Sequence, residues 1–163
     1  QTDKFFNYRM MDELSAGYFE LKECLLEPEY FEELDKFFEQ VREKGYRNVI
    51  LDLRNNGGGD SSLLLTGFLN HMPGDSFNLG TGLGLGGKWD KYSQKPSFWY
   101  KPPEAKKIKP FNGHVYVLIA QKTYSAGNEF ATTLKDNGLV TLVGQKTSNS
   151  PCVLVRQPHQ CRR

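Results

Sequence analysis

The sequence predicts an α/β layered fold, and three observations carry that prediction. Two apolar runs rich in β-branched residues, 48–53 (NVILDL) and 114–120 (HVYVLIA), read as strands covered on both faces, as in a parallel sheet. Each ends in a short turn and gives way to a helical pattern. An amphipathic helix precedes the first of them, so strands and helices alternate along the chain.

The elements follow in order. Residues 1–16 open with Phe5, Phe6 and Tyr8 and then turn polar; they read as an edge strand or as an arm left from a preceding domain. Residues 17–23 alternate and read as a strand. Residues 28–44 predict a helix: Pro28 suits the first turn, Phe31, Leu34, Phe38 and Val41 share one face, and Gly45 ends it. Strand, helix, strand by Leu53 makes a right-handed βαβ unit. A helix over 61–71 follows, with Asp60, Ser61 and Ser62 as N-cap candidates and Pro73 as its stop. Residues 74–111, rich in glycine and proline, are too long for a structureless loop and predict a hairpin or extended excursion over the active-site face. Trp89, Trp99 and Tyr100 on it are candidates for substrate contact or for pinning the excursion to the body. The match to G-x-G-x-x-G at 82–87 lacks a strand before it and a helix after, so it carries no nucleotide site. Residues 126–134 read as a helix and 139–144 as a further buried strand. The tail 148–163 has no periodicity.

Composition bounds the function. The chain has 163 residues, 38% hydrophobic and 25% charged, enough for one domain with a real core. No apolar run approaches the ~20 residues of a membrane helix. The net charge of +2 comes from Arg156, Arg162 and Arg163 in the tail; without them the balance is 18 basic against 19 acidic residues. With no basic stripe interleaved with aromatics, no nucleic-acid role is expected. Cys24, Cys152 and Cys161 lack metal-ligand spacing and read as buried or unpaired thiols. The chain opens at Gln1 directly before an apparent core strand, so it reads as a fragment.

Two junctions carry chemistry. Ser125 sits where the strand 114–120 turns into the helix 126–134. As a cap, its hydroxyl would accept an amide hydrogen bond from the first helical turn. As a nucleophile, its Oγ would stand exposed at the turn beside free amides. The second junction is the glycine turn Gly57, Gly58 and Gly59, which lets the backbone turn sharply and lets amides approach a bound group. Such amides can stabilise charge developing on a carbonyl oxygen; the alternative is an ordinary tight turn.

In this order, Asp52-Leu53-Arg54-Asn55-Asn56-Gly57-Gly58-Gly59, Thr123-Tyr124-Ser125-Ala126 and Gly144-Gln145-Lys146-Thr147 resemble the D-L-R-x-N-x-G-G, T-x-S-A and G-x-x-T elements of the tail-specific, or C-terminal processing, serine peptidases, a family that includes the tricorn core protease. Gly17-Tyr18-Phe19-Glu20-Leu21 resembles that family's opening strand. The resemblance covers residues 17–147 and implies a ClpP/crotonase-like fold, incomplete here at both ends. It implies a serine peptidase with Ser125 as nucleophile, the amides of Ala126 and of Gly58 or Gly59 as oxyanion donors, no cofactor, and a peptide or protein substrate. A homo-oligomer and an extracytoplasmic location are compatible with it. Many relatives place a lysine base three residues after the threonine; here that position is Ser150. Lys146, His71 and His114 are the base candidates within the chain, and the tricorn branch implies a fourth source, a histidine upstream of Gln1. Asn128 stands where many relatives carry glutamate, and Glu129 follows it. Asp52, at a strand end, reads as a cap or as a partner of Arg54. Two other functions share the scaffold: a non-catalytic binding module and a crotonase-type enzyme.

Overall fold

A computed structural model describes residues 4–63, 67–80, 83–85, 88–90, 98–103 and 108–148. The elements run β1 (Phe6–Met11), β2 (Ala16–Leu21), α1 (Pro28–Glu43), β3 (Asn48–Asp52), β4 (Phe77–Gly80), β5 (Leu83–Leu85), β6 (Lys88–Asp90), β7 (Phe98–Tyr100), β8 (His114–Ile119), α2 (Ala126–Asp136) and β9 (Thr141–Gly144). The central sheet has the order β1-β2-β3-β8-β9. Only β1 is antiparallel to its neighbour; β2, β3, β8 and β9 are parallel. The predicted α/β architecture with a parallel sheet is therefore the observed one.

The order steps one way along the sheet through β2-α1-β3 and β8-α2-β9. Right-handed crossovers taken in one direction place their helices on one face. An aromatic chain joins the two helices there: Phe38 of α1 packs on Phe68, and Phe68 on Phe130 of α2, at 5.5 and 5.6 Å between ring centres. Tyr30, Leu34, Phe37, Phe38 and Val41 are the buried face of α1. Phe31, predicted for that face, is only half-buried, because the face turns toward Phe37. Gly17 lets β2 approach: a Cβ there would lie 2.5 Å from Val41 and 2.8 Å from the Phe37 ring. Phe6 of β1 stacks on Phe19 of β2 at 5.8 Å, so the opening residues supply an edge strand whose inner face belongs to the core.

The predicted helix 61–71 is interrupted. Ser62 and Leu63 are helical, residues 64–66 lie outside the described set, and Phe68–His71 is a 3-10 turn. Gly67 takes φ −120°, ψ −85°, well outside α geometry, and packs closely on Tyr30 and Leu34. Asp60 is the cap, accepting from both the amide and the hydroxyl of Ser62.

Among its described residues the excursion contains two antiparallel pairs, β4 with β7 and β5 with β6. Its base is fixed to the C-terminal end of α2, where Asn137 exchanges two 2.7 Å hydrogen bonds with the backbone of Asn78. Tyr100 donates to Asn70 at 2.8 Å. This base therefore lies at the end of α2 opposite Ser125. Trp99 is half exposed, and the side chain of Trp89 lies outside the described residues. Gly84, within the G-x-G-x-x-G match, sits in β5 and is followed by strand β6 rather than by a helix. Ser150, Cys152, Cys161 and the rest of 149–163 lie outside the described residues.

Candidate active site

The turn from β8 to α2 is held from below by two buried residues. Thr123 donates its hydroxyl to the Leu53 carbonyl at 2.7 Å and accepts from the Ala120 amide at 3.0 Å, tying the turn to the end of β3. The Tyr124 amide donates to the Asn56 carbonyl at 2.9 Å. Between these anchors and α2, Ser125 takes φ 49°, ψ −124°. A residue with a side chain pays roughly 1–3 kcal/mol for such a conformation. Its hydroxyl makes no capping hydrogen bond, so the capping role open in the sequence is not the one adopted. The next residue, Ala126, begins the helix; its amide belongs to the first turn, where no intrahelical acceptor exists. Among the described residues that amide donates to nothing.

The glycine turn meets Ser125 directly. A Cβ on Gly58 would lie 2.6 Å from Ser125 Cβ and 3.2 Å from Oγ. Gly58 and Gly59 have φ 105° and 130°, values that side chains rarely adopt. A Cβ on Gly59 would lie 2.2 Å from the Cys24 carbonyl oxygen, because the chain after β2 pairs with this turn. Cys24 donates its amide to Gly58 O and accepts from the Asp60 amide, both at 2.7 Å. The Gly57 amide donates to Lys22 O, and the Gly58 amide to Asn56 Oδ1 at 2.9 Å. The Gly59 amide has no acceptor among the described residues. The resemblance leaves Gly58 and Gly59 as alternatives; in the structure the Gly58 amide is committed to Asn56 and that of Gly59 is left.

The base candidates separate by position. His71 is buried, stacked 4.2 Å on Phe38, with Nε2 2.9 Å from Asp35 Oδ1; it serves the α1 interface and is not brought to Ser125. His114 opens β8, at the opposite end of that strand from the Ser125 turn. The six residues of β8, at ~3.3 Å each, separate the two. Lys146 follows β9 at the same end of the parallel strands as Ser125, but it is exposed and makes no hydrogen bond or ion pair among the described residues. Asn128 is buried and accepts from the Thr147 hydroxyl at 3.1 Å, joining the first turn of α2 to the chain after β9. Glu129 is half-buried; its amide donates to the Ser125 carbonyl at 3.0 Å, and its carboxylate makes no hydrogen bond or ion pair among the described residues.

Asp52 is the expected partner of Arg54. Its carboxylate accepts from Arg54 Nε and Nη2, at 2.6 Å for the shortest contact, and from the Tyr18 hydroxyl at 2.6 Å. Burial alone would raise its pKa, but the hydrogen bonds from Arg54 and Tyr18 outweigh it and hold the carboxyl below its ordinary value. Burial and the same bond push Tyr18 up to about 12. Cys24 is not a rival nucleophile: burial pushes its thiol up to about 11, against a weaker opposing bond from Asn56. Sequence reasoning missed Thr123 and Asn56 as anchors; the Thr of T-x-S-A and the second Asn of D-L-R-N-N were the available signals. Among the described residues no cluster of His, Cys, Asp and Glu could hold a metal ion.

Peptidase family S41 matches residues 15–161, almost the entire chain. The chain belongs to peptidase family S41. Solved structures of similar fold include a candidate peptidase from Parabacteroides merdae (22% identity, TM-score 0.69, covering 88% of this chain and 44% of that one). They also include the photosystem II D1 C-terminal processing protease (19%, 0.65, covering 90% and 38%) and a candidate S41 protease from Bacteroides fragilis (24%, 0.61, covering 88% and 38%). The S41 chain thus spans less than half the length of these three structures. At these identities the likeness speaks for the fold. No curated protein matches. Among the described residues of this S41 chain, no helix is long and apolar enough to cross a membrane.

Proposed function

We propose that this S41 chain carries the catalytic core of a serine peptidase that works through an acyl-enzyme on Ser125. The observation that supports it most is the conformation of Ser125, a non-glycine residue at φ 49° whose hydroxyl caps nothing and faces Gly58. A fold that needed only a cap would not hold a strained serine there. In this reading Oγ attacks the carbonyl carbon of the scissile peptide bond while its proton passes to a base. The carbonyl oxygen gains negative charge and accepts from the amides of Ala126 and Gly59. The C–N bond then breaks, the amine leaves with the proton, and water hydrolyses the ester to free the serine. The base comes from outside the described residues, since none of these supplies a Lys, His or carboxylate hydrogen-bonded to Ser125. The substrate is a peptide or protein, and the location is extracytoplasmic.

The test is to treat the full-length protein with a fluorophosphonate and map the labelled peptide. Label on Ser125, abolished by Ser125→Ala, is the expected result. A folded protein left unlabelled at Ser125 sinks the reading in favour of a binding module.

A further inference from the structure

We infer that Asn56 is a positioning residue that orients the Gly59 amide toward the oxyanion; the inference rests on Ser125 being the nucleophile. Asn56 is fully buried, and beside long contacts with the Cys24 thiol its polar atoms hold backbone of β2 and of the two turns that meet at Ser125. Oδ1 accepts from the Gly58 amide at 2.9 Å, and Nδ2 donates to the Leu21 carbonyl, at the end of β2, at 2.9 Å. Its own carbonyl accepts from the amide of Tyr124, the residue before the nucleophile. Gly127 in the first turn of α2 presses on the same amide group: a Cβ there would lie 2.3 Å from Oδ1.

The geometry has a consequence for the next peptide. Fixing the Gly58 amide on Oδ1, and the Gly58 carbonyl on the Cys24 amide, defines both sides of Gly58. The Gly58 carbonyl and the Gly59 amide belong to one rigid planar peptide. Anchoring that carbonyl therefore turns the Gly59 N–H to the opposite side, away from Cys24. Without Oδ1, two glycines with wide backbone freedom would have to be ordered by the substrate itself. An oxyanion donor works because it is already in place when charge develops. Asn56 supplies that order through Gly58 and touches neither substrate nor Oγ.

Two measurements on the full-length protein test this. Amide hydrogen exchange reads the geometry without reference to catalysis: Gly58 should exchange about tenfold more slowly than Gly59, and Asn56→Ala should remove the difference. Steady-state kinetics on a peptide substrate read the consequence: Asn56→Ala should lower kcat by about 100-fold, with KM within about threefold, and slow fluorophosphonate labelling of Ser125 in parallel. Asn56→Asp, which keeps the acceptor for Gly58, should lose less kcat than Asn56→Ala. Val41→Ala, a core truncation in α1, should lower Tm while leaving kcat unchanged. Equal exchange of Gly58 and Gly59 in the wild-type protein overturns the inference even where Asn56→Ala fails to fold. A kcat loss shared by Val41→Ala at equal loss of Tm overturns it too. Protected Gly58 in a protein that never labels at Ser125 instead overturns the nucleophile reading, and the catalytic role of Asn56 with it.

Discussion

Gly58 and Ser125 lie so close that either side chain constrains the other. Gly58→Ala should lower hydrolysis by at least ~100-fold and cost about 1–3 kcal/mol in stability, because the new Cβ meets Ser125 Cβ at 2.6 Å and strains φ 105°. Gly57→Ala is the natural control: no atom lies within 4 Å of its Cβ and its φ is not positive, so activity should be kept. Peptide hydrolysis and urea melts of the two variants check both statements. At this scale the sequence was partly legible. Three glycines beside a strand end announced a special backbone, and Ser125 announced itself by its place between strand and helix. Which glycine amide stays free was not legible. It depends on Asn56 Oδ1 reaching Gly58 and on Cys24 pairing with the turn from across β2, and no local pattern encodes those contacts.

Among the elements, β2 and β3 are joined at their ends by more than ladder hydrogen bonds. Tyr18 and Arg54 converge on Asp52, and the charge states of the two acids set a pH window. Asp52 has a folded pKa below its ordinary value of 3.8, so its contribution is present above that value and is lost as pH falls through the folded one. Tyr18 is raised from 10.0 to about 12, so its contribution is present below 10 and is lost as pH climbs toward 12. Thermal melts should therefore show a plateau between about pH 4 and 10 with losses at both ends. Asp52→Asn should lower Tm on the plateau, and its gap to wild type should close below pH 3.8; a constant gap down to pH 2 would refute the assignment. The helices and core strands were readable because their apolar spacing is local: α1 was expected over 28–44 and runs Pro28–Glu43. The helix expected over 61–71 was misjudged because Gly67 must fit under Tyr30 and Leu34, a tertiary demand that overrides a helical pattern.

The whole molecule depends on the aromatic seam between the sheet and α1. Phe37 touches Phe19, Tyr8 and Phe38, and it is fully buried. Phe37→Ala should cost about 3–5 kcal/mol, a large share of the ~5–15 kcal/mol that holds a domain folded. A urea melt reads this directly, and a loss under about 1 kcal/mol would mean that the seam does not carry the core. The base that the proposed reading requires for Ser125 was the part least open to sequence reasoning, since a base is defined by proximity and not by spacing. The parallel pairing of β3 with β8 sets residue 48 against residue 114. Such contacts between distant parts of a chain close slowly, after local helices have formed. The Ser125 turn is anchored on Leu53 and Asn56, so it acquires its shape only once β8 has docked beside β3. On the proposed reading, a chain emerging from the ribosome carries its serine as an ordinary, unreactive alcohol until the sheet is assembled, so any reactivity of Ser125 follows folding.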